Sequence, residues 1–280
     1  MNPIILIDFS WLYNKYYFVA KQKESKDIKE LLYNMLIQFL NRISNCYKGS
    51  QIYVAIDSST KSLKNYNLNK NYKQNRNKEI KKEVYENIKE IICKLKENLS
   101  LSFHFVKAKG YEADHVIAFL TKMAYGCSPV IIFSGDKDLI QLTGYQSVFI
   151  SDKFEQGKFI IKSNKELFDK FKNSKGENFT RISYDIKDLL KYRVLKGDPS
   201  DNLPPVFHRI KDKDIISIIQ NYWTFHDELT SESIINIINN IKEDNEVLGN
   251  KLQENKGTWL INYEIMNLYN IKGIKVIELK

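Results

Sequence analysis

Short apolar runs alternate along the first half of the chain with stretches whose apolar positions recur at helical spacing. The runs span residues 3–7, 51–56 and 128–133 and are rich in β-branched side chains. Each is followed by an acidic residue or a turn and then by a helical pattern. Strands that alternate with helices in this way predict an α/β fold with a mostly parallel central sheet flanked by helices on both faces.

Two helical stripes and one irregular segment complete the first part of the chain. The stripes run through residues 28–43 and 84–95, and the second leads directly into the alternating segment 102–106. Alternation of apolar and polar residues is typical of a strand. Residues 153–161 are predicted to form a hairpin or an excursion at the edge of the sheet.

Beyond about residue 180 the patterns are helical only. The predicted helices cover residues 184–196, 212–222, 231–243 and 258–269. We therefore expect an α/β core over residues 1–180, with a basic region at 58–90, and a helical lobe over residues 181–280. The last ten residues fit either a closing strand or a docking peptide.

Composition limits the class of protein. With 43% hydrophobic and 28% charged residues, the 280-residue chain is expected to fold rather than to stay disordered. No apolar run approaches the roughly 20 residues that cross a bilayer, and the first residues lack a basic segment and a cleavage site, so we expect a cytoplasmic location without membrane partners. Three widely spaced cysteines argue against a disulfide framework or a zinc knuckle. The net charge of +9 favours a polyanionic partner, either nucleic acid or a membrane surface.

Acidic residues follow the predicted strands at the points where each strand ends. Asp8, Asp57 and Asp136 come after the three apolar runs, and the carboxyl ends of parallel strands meet at one edge of a sheet. Each acid could instead cap a helix or a turn. The full set of candidate acids is Asp8, Asp57, Glu112, Asp114, Asp136, Asp138, Asp198 and Asp201.

If these acids share one crevice, their repulsion requires neutralising cations. Oxygen donors without a Cys or His set favour Mg²⁺, with Mn²⁺ as a substitute. Two such ions about 4 Å apart would polarise a phosphodiester and stabilise its departing oxygen. The sequence therefore predicts two bound Mg²⁺ ions and a phosphate ester as substrate.

A basic stretch follows Asp57. Between residues 61 and 82 a single acid, Glu79, stands among eight cations, and Tyr66 and Tyr72 are interleaved with them. The cations are Lys61, Lys64, Lys70, Lys73, Arg76, Lys78, Lys81 and Lys82. Such a stretch suits single-stranded nucleic acid, because cations neutralise phosphates and tyrosine faces stack on bases. A solvated loop is the alternative.

An ordered series of motifs resembles the 5′ nuclease and flap endonuclease family, and within it most closely the phage ribonuclease H type enzymes. The motifs are IILID, YVAID, YKQNR, EADHVIA, SGDKDLIQL and KGDPSDNLP, and they extend from residue 1 to about residue 210. The resemblance implies a PIN-like core with a basic arch, a helical lobe that binds DNA, and a monomeric enzyme, located in a host cell if phage-encoded. It also implies metal-dependent, structure-selective 5′-to-3′ exonuclease and flap endonuclease activity that removes RNA primers and 5′ flaps in DNA replication. The implied partners are DNA with 5′ flaps or ends and RNA/DNA hybrids, with replication proteins left open.

The same resemblance assigns roles to residues. It makes the eight acids above the metal site and gives Asp136 a catalytic role as well. It places Lys73 and Arg76 on the scissile phosphate, where cations stabilise developing charge. The implied nucleic-acid contacts are Tyr72, Lys73, Arg76, Lys78, Lys196, Arg209, Lys211 and Lys213.

Two departures from the family pattern matter. Pro205, His208 and Ile210 stand where most members have the glycines of a hairpin that binds duplex phosphates, so direct charge from nearby Lys and Arg side chains would replace it. His115 stands where the motif usually has a third acid. It could bind Mn²⁺ better than Mg²⁺, or it could point toward solvent in place of an outer acid.

Two rival functions stay open, and the departures motivate the first of them. One is a catalytically impaired DNA-binding accessory protein of replication. The other is a ribonuclease of the related PIN group, which shares the acidic core but lacks the arch and the lobe.

Overall fold

A computed structural model of the chain describes most of its length. The described residues are 1–23, 27–58, 63–74, 78–99, 102–163, 166–167, 185–225, 228–271 and 273–279. They form two compact units. The first comprises residues 1–62, 77–162 and 271–280, and the second comprises residues 63–76 and 163–270.

The first unit is built on a sheet of seven strands among the described residues, in the order β6-β5-β4-β1-β2-β3-β7. The strands are β1 (Ile4–Asp8), β2 (Ile52–Ala55), β3 (Phe103–Ala108), β4 (Val130–Phe133), β5 (Val148–Glu155), β6 (Lys158–Ile161) and β7 (Val276–Glu278). The five inner strands pair in parallel, and β6 and β7 add antiparallel edges. This confirms the predicted α/β fold with a mostly parallel sheet.

The central strand β1 shows why the short apolar runs become inner strands. Ile5, Leu6 and Ile7 are all fully buried, as expected for a parallel strand covered on both faces. The register places Asp8 opposite Ala55 of β2 and Ile7 opposite Phe133 of β4. The residues that follow β1, β2 and β4 therefore emerge at the same edge of the sheet.

Helices cover both faces of this sheet. The helices of the first unit are α1 (Phe9–Gln22), α2 (Ile28–Cys46), α4 (Lys78–Asn98) and α5 (Ala113–Ala124). The first three pack on the face that carries Ile5 and Ile7, where Phe39 meets Phe133 and Phe159 edge to face. Helix α5 contacts the same strands but its buried residues lie outside that cluster, which puts α5 on the opposite face.

The two ends of the sheet settle two predictions. Strands β5 and β6 form the predicted hairpin, and Gln156 and Gly157 make its turn with φ of 50° and 80°. Strand β7 pairs antiparallel with β3, so residues 276–278 form a closing strand. His104 Nδ1 lies 2.9 Å from Glu278 Oε1 across this pair.

The second unit is helical among its described residues. Its helices are α3 (Leu63–Leu68), α6 (Ile186–Lys196), α7 (Asp212–Ser217), α8 (Ser231–Asp244), α9 (Glu246–Glu254) and α10 (Lys256–Met266), and a π turn at Ile218–Tyr222 continues α7. Trp223 and Trp259 meet in its core with ring centroids 5.4 Å apart. The predicted helices are confirmed near their expected places, whereas α9 was not anticipated.

The predicted domain boundary near residue 180 stays a prediction, because residues 168–184 lie outside the described part of the chain. Over the part that is described, the structure has no helix that is both long enough and apolar enough to cross a membrane.

Candidate active site

Asp8 is a buried carboxylate at the end of β1. It caps α1 by accepting a hydrogen bond from the backbone N–H of Trp11 at 3.0 Å, and its second oxygen accepts one from Ser134 Oγ at 2.9 Å. The pKa of Asp8 is raised to about 7, chiefly by burial; the negative charges of Asp57 and Asp136 also raise it, whereas the two hydrogen bonds lower it. The capping role and the clustering of acids thus occur together at this residue.

Asp57 ties the end of β2 to two helices. Its Oδ2 accepts a hydrogen bond from Ser10 Oγ at 2.6 Å, in the first turn of α1. Its Oδ1 accepts one from the backbone N–H of Ala113 at 2.8 Å, the first residue of α5. An acid at a strand end is therefore held beside the helix start that carries Glu112 and Asp114.

The loop after β4 is organised by Ser134, which is fully buried. Its hydroxyl donates to Asp8 and accepts from the backbone N–H of Asp136 at 2.9 Å. Asp136 Oδ1 in turn accepts the N–H of Asp138 at 2.9 Å. A side chain at Gly135 would not fit, since a Cβ there would lie 2.4 Å from the indole nitrogen of Trp11.

The start of α5 carries a group of three possible metal ligands. One ligand atom each from Glu112, Asp114 and His115 lies within 4.8 Å of the others. Asp114 Oδ1 accepts hydrogen bonds from both the backbone N–H and the Nδ1 of His115, each at 2.7 Å. His115 is only 1% exposed, so the alternative that it points toward solvent is wrong.

The chemistry of these donors fits a divalent cation. Six acids of the first unit lie at or beside one edge of the sheet, and they offer carboxylate oxygens, the donors that hard cations prefer. Repulsion from Asp57 and Asp136 already contributes to the raised pKa of Asp8, and a bound 2+ charge would relieve it. The individual metal roles of these acids stay predictions.

Asp198 and Asp201 lie in the second unit, on a 3₁₀ turn at Pro199–Asp201. Asp198 caps that turn through Ser200 N–H at 2.9 Å, and its other oxygen accepts from Arg193 Nη2 at 2.7 Å. Burial raises the pKa of Asp198, but the bonds from Ser200 and the Arg193 cation outweigh it and hold the pKa below its usual value. The capping interpretation is confirmed for Asp198, and its metal role stays a prediction.

Asp201 contacts Tyr72 and Lys73, which lie near the end of the described part of the basic stretch. Its carbonyl accepts the backbone N–H of Lys73 at 2.9 Å, and its carboxylate lies 3.6 Å from Lys73 Nζ and accepts from Tyr72 Oη at 3.3 Å. Lys73 also sits 4.9 Å from the centre of the Tyr72 ring. Arg76 lies outside the described residues, and of Lys78 only its place in α4 is described.

The remaining predicted nucleic-acid contacts lie near the start of α7. Lys196 Nζ bonds Asp212 Oδ1 at 2.6 Å, whereas Arg209, Lys211 and Lys213 are exposed. Among the three residues predicted to replace hairpin glycines, Ile210 is a core residue at 6% exposure. The left-handed backbone expected of a hairpin occurs instead at Arg209, with φ of 61°.

Sequence reasoning missed two serines and a lysine that the structure brings to the edge of the sheet where the acids lie. Ser10 and Ser134 hold the acids, and their only sequence signal is a place next to an acid motif. Lys15 Nζ donates to the carbonyl of Asp152 at 2.7 Å and lies 4.8 Å from the Trp11 ring centre. Asp152 also pairs with Lys162. Burial lowers the pKa of Lys15, and Lys162 lowers it further, while Asp152 opposes both effects.

Comparison with known proteins places these features in a family. A sequence model described as "5′-3′ exonuclease, N-terminal resolvase-like domain" matches residues 3–172. A 5′-3′ exonuclease of Buchnera aphidicola subsp. Schizaphis graminum is 28% identical over 248 residues, which cover 86% of this chain and 75% of that protein. DNA polymerase I of Helicobacter pylori is 32% identical over 161 residues, which cover 55% of this chain and 17% of that protein.

The fold also matches a solved structure. A bacteriophage T5 flap endonuclease in complex with DNA and metal ions superposes with a TM-score of 0.65 at 16% identity, covering 95% of this chain and 89% of that one. At that identity the likeness supports the fold alone.

Proposed function

Because the chain belongs to the 5′-3′ exonuclease family, we propose that it is a Mg²⁺-dependent 5′ nuclease that removes RNA primers and short 5′ flaps during DNA replication. The observation that carries this proposal is the group of acids at one edge of the sheet. There the negative charges of Asp57 and Asp136 lie close enough to the buried Asp8 to raise its pKa. A replication role is supported by the similarity to DNA polymerase I.

In this proposal the acids of the first unit hold the ions. Asp8, Asp57 and Asp136 carry one group of oxygens, and Glu112 and Asp114 carry the other, joined to the first through the bond from Ala113 to Asp57. Two bound ions would polarise the phosphodiester and stabilise the departing oxygen. We propose Asp138 as an additional ligand, direct or through water, and the metal roles of Asp198 and Asp201 stay predictions.

The chain's own cations and aromatic side chains would grip the substrate. Lys73 and Arg76 are proposed to contact the scissile phosphate, and Tyr72 to stack on a base. The contacts of Asp201 with Tyr72 and Lys73 support this, because they hold a cation and an aromatic ring side by side. Lys78, Lys196, Arg209, Lys211 and Lys213 are proposed to contact the backbone phosphates.

The test is a cleavage assay on three 5′-labelled substrates: a 5′-flap duplex, a nicked duplex and an RNA primer annealed to DNA. Each is incubated with Mg²⁺, with Mn²⁺ or with EDTA. We expect cleavage in either metal and none in EDTA. Absence of cleavage of every substrate in both metals would refute the proposal, and binding without cleavage would favour the accessory protein.

A matched pair of variants separates catalysis from binding. Asp136→Ala should abolish turnover and keep DNA binding. Asp185→Ala is the control, since Asp185 also accepts a backbone N–H two residues ahead, at 2.9 Å, but is an exposed cap of α6. Cleavage that survives in Asp136→Ala would contradict the role given to that acid, and a preference for plain RNA over structured DNA would favour the PIN ribonuclease.

A further inference from the structure

His115 is a histidine next to the acidic residues Glu112 and Asp114, and it is buried rather than exposed to solvent. It lies on the inner side of α5 at 1% exposure, and its ring centroid is 5.7 Å from that of Tyr111 in an edge-to-face arrangement. Among the described residues its ring makes one hydrogen bond, from Nδ1 to Asp114 Oδ1 at 2.7 Å, and Nε2 has no partner. A buried polar ring with one bond requires an explanation.

The direction of that bond follows from the chemistry of its two atoms. An ionised carboxylate only accepts hydrogen bonds, so Nδ1 carries the proton and the lone pair of the neutral ring lies on Nε2. The same Oδ1 also accepts the backbone N–H of His115 at 2.7 Å. Two donors from one residue therefore fix one oxygen of Asp114 and, with it, the plane of the carboxylate.

We propose that His115 is a positioning residue, which orients Asp114 toward a bound divalent cation through the hydrogen bond from its Nδ1. This inference rests on the proposed metal site and deepens it. Hydrogen bonds to metal-binding carboxylates orient them, and loss of such a bond typically weakens metal affinity by about 10- to 100-fold. His115 thus stands where the family motif has its third acid, and it acts by fixing the orientation of Asp114, the second acid of the motif.

The test measures binding of Mn²⁺ alone, by the loss of the free-ion EPR signal, in the full chain and in four variants. His115→Leu removes the donor, and its Kd should rise at least about 10-fold. His115→Asn places an amide nitrogen where Nδ1 stands, so its Kd should stay within about threefold of the unchanged protein. His115→Gln places its amide nitrogen where Nε2 stands and should behave like His115→Leu.

Thr121→Val is the matched control. Thr121 is another fully buried polar residue of α5 whose hydroxyl has no hydrogen-bond partner among the described residues, so its loss should leave the Kd unchanged. Thermal melts followed by circular dichroism report whether each variant folds. If His115→Leu does not fold, the comparison of the Asn and Gln variants decides.

The outcomes separate this inference from the proposed function. An unchanged Kd in His115→Leu, or recovery by Gln rather than Asn, would overturn the positioning role while the metal site stands; the second result would make the imidazole a ligand. Absence of Mn²⁺ binding by the unchanged chain would overturn the proposed metal site and this inference with it.

Discussion

Replacing Asp8 by Asn should stabilise the metal-free protein at neutral and alkaline pH. The carboxylate is buried at 6% exposure, and its pKa is raised from 3.8 to about 7, chiefly by burial. In the unfolded chain the same group ionises near 3.8. Asparagine keeps an oxygen that can accept the N–H of Trp11 but carries no charge at any pH.

The sign follows from proton binding. Between pH 3.8 and about 7 the folded protein holds a proton on Asp8 that the unfolded chain has lost. The contribution of Asp8 to the free energy of unfolding is therefore fully present below pH 3.8, and it is lost as the pH rises through about 7. The pKa of Asp8 differs by about 3 between the folded and unfolded states, and one pKa unit corresponds to about 1.4 kcal/mol. At pH 8 the ionised carboxylate therefore lowers the free energy of unfolding by about 4 kcal/mol.

The assay is urea unfolding in EDTA at pH 5 and pH 8. The free energy of unfolding of Asp8→Asn should exceed that of the unchanged protein by about 3 kcal/mol more at pH 8 than at pH 5. Asp27→Asn is the control, because Asp27 also caps a helix by accepting an N–H three residues ahead, at 3.0 Å, but is exposed. Its stability difference should be nearly the same at both pH values.

Added Mg²⁺ should reverse the order. Ions that bind only the folded state stabilise it by mass action, and Asp8→Asn would lose part of that gain if Asp8 is an anionic ligand, as proposed. The reasoning is refuted if Asp8→Asn is no more stable than the unchanged protein at pH 8 in EDTA, or if the gap does not depend on pH.

Three further predictions concern turnover, packing and charge. Lys73→Ala should lower kcat at least about 10-fold with a smaller change in KM, whereas Lys70→Ala, which removes an equal charge from the same segment, should change both by less than about threefold; equal effects would contradict a specific role. Gly135→Ala should cost about 1–3 kcal/mol in urea unfolding because its Cβ would overlap Trp11, while Gly257→Ala, with open space around it, should cost nothing, and equal stabilities would refute the overlap. Filter-binding affinity for a 5′-flap duplex should fall steeply between 50 and 200 mM salt, and a flat response would argue against backbone contacts.

Periodicity along the chain was enough to predict the sheet, the helices that cover it and most of the helices of the second unit. The reason is local: the alternation or helical spacing of apolar residues decides which face an element can bury. The same reasoning located Asp8, Asp57 and Asp136, because parallel strands end at a common edge. Helix α9 escaped it, since its apolar stripe is short and follows α8 after a single residue, Asn245.

The contacts that shape the site were decided only by the tertiary structure. Ser134 reaches Asp8 across 126 positions of the chain, and Tyr72 reaches Asp201 across 129. Burial of His115 depends on which side of α5 faces the sheet, and the sequence alone left that residue with two opposite interpretations. Local patterns specify elements and their ends, whereas the partner and the desolvation of a polar side chain depend on what distant elements pack against it, and these determine its pKa and its chemistry.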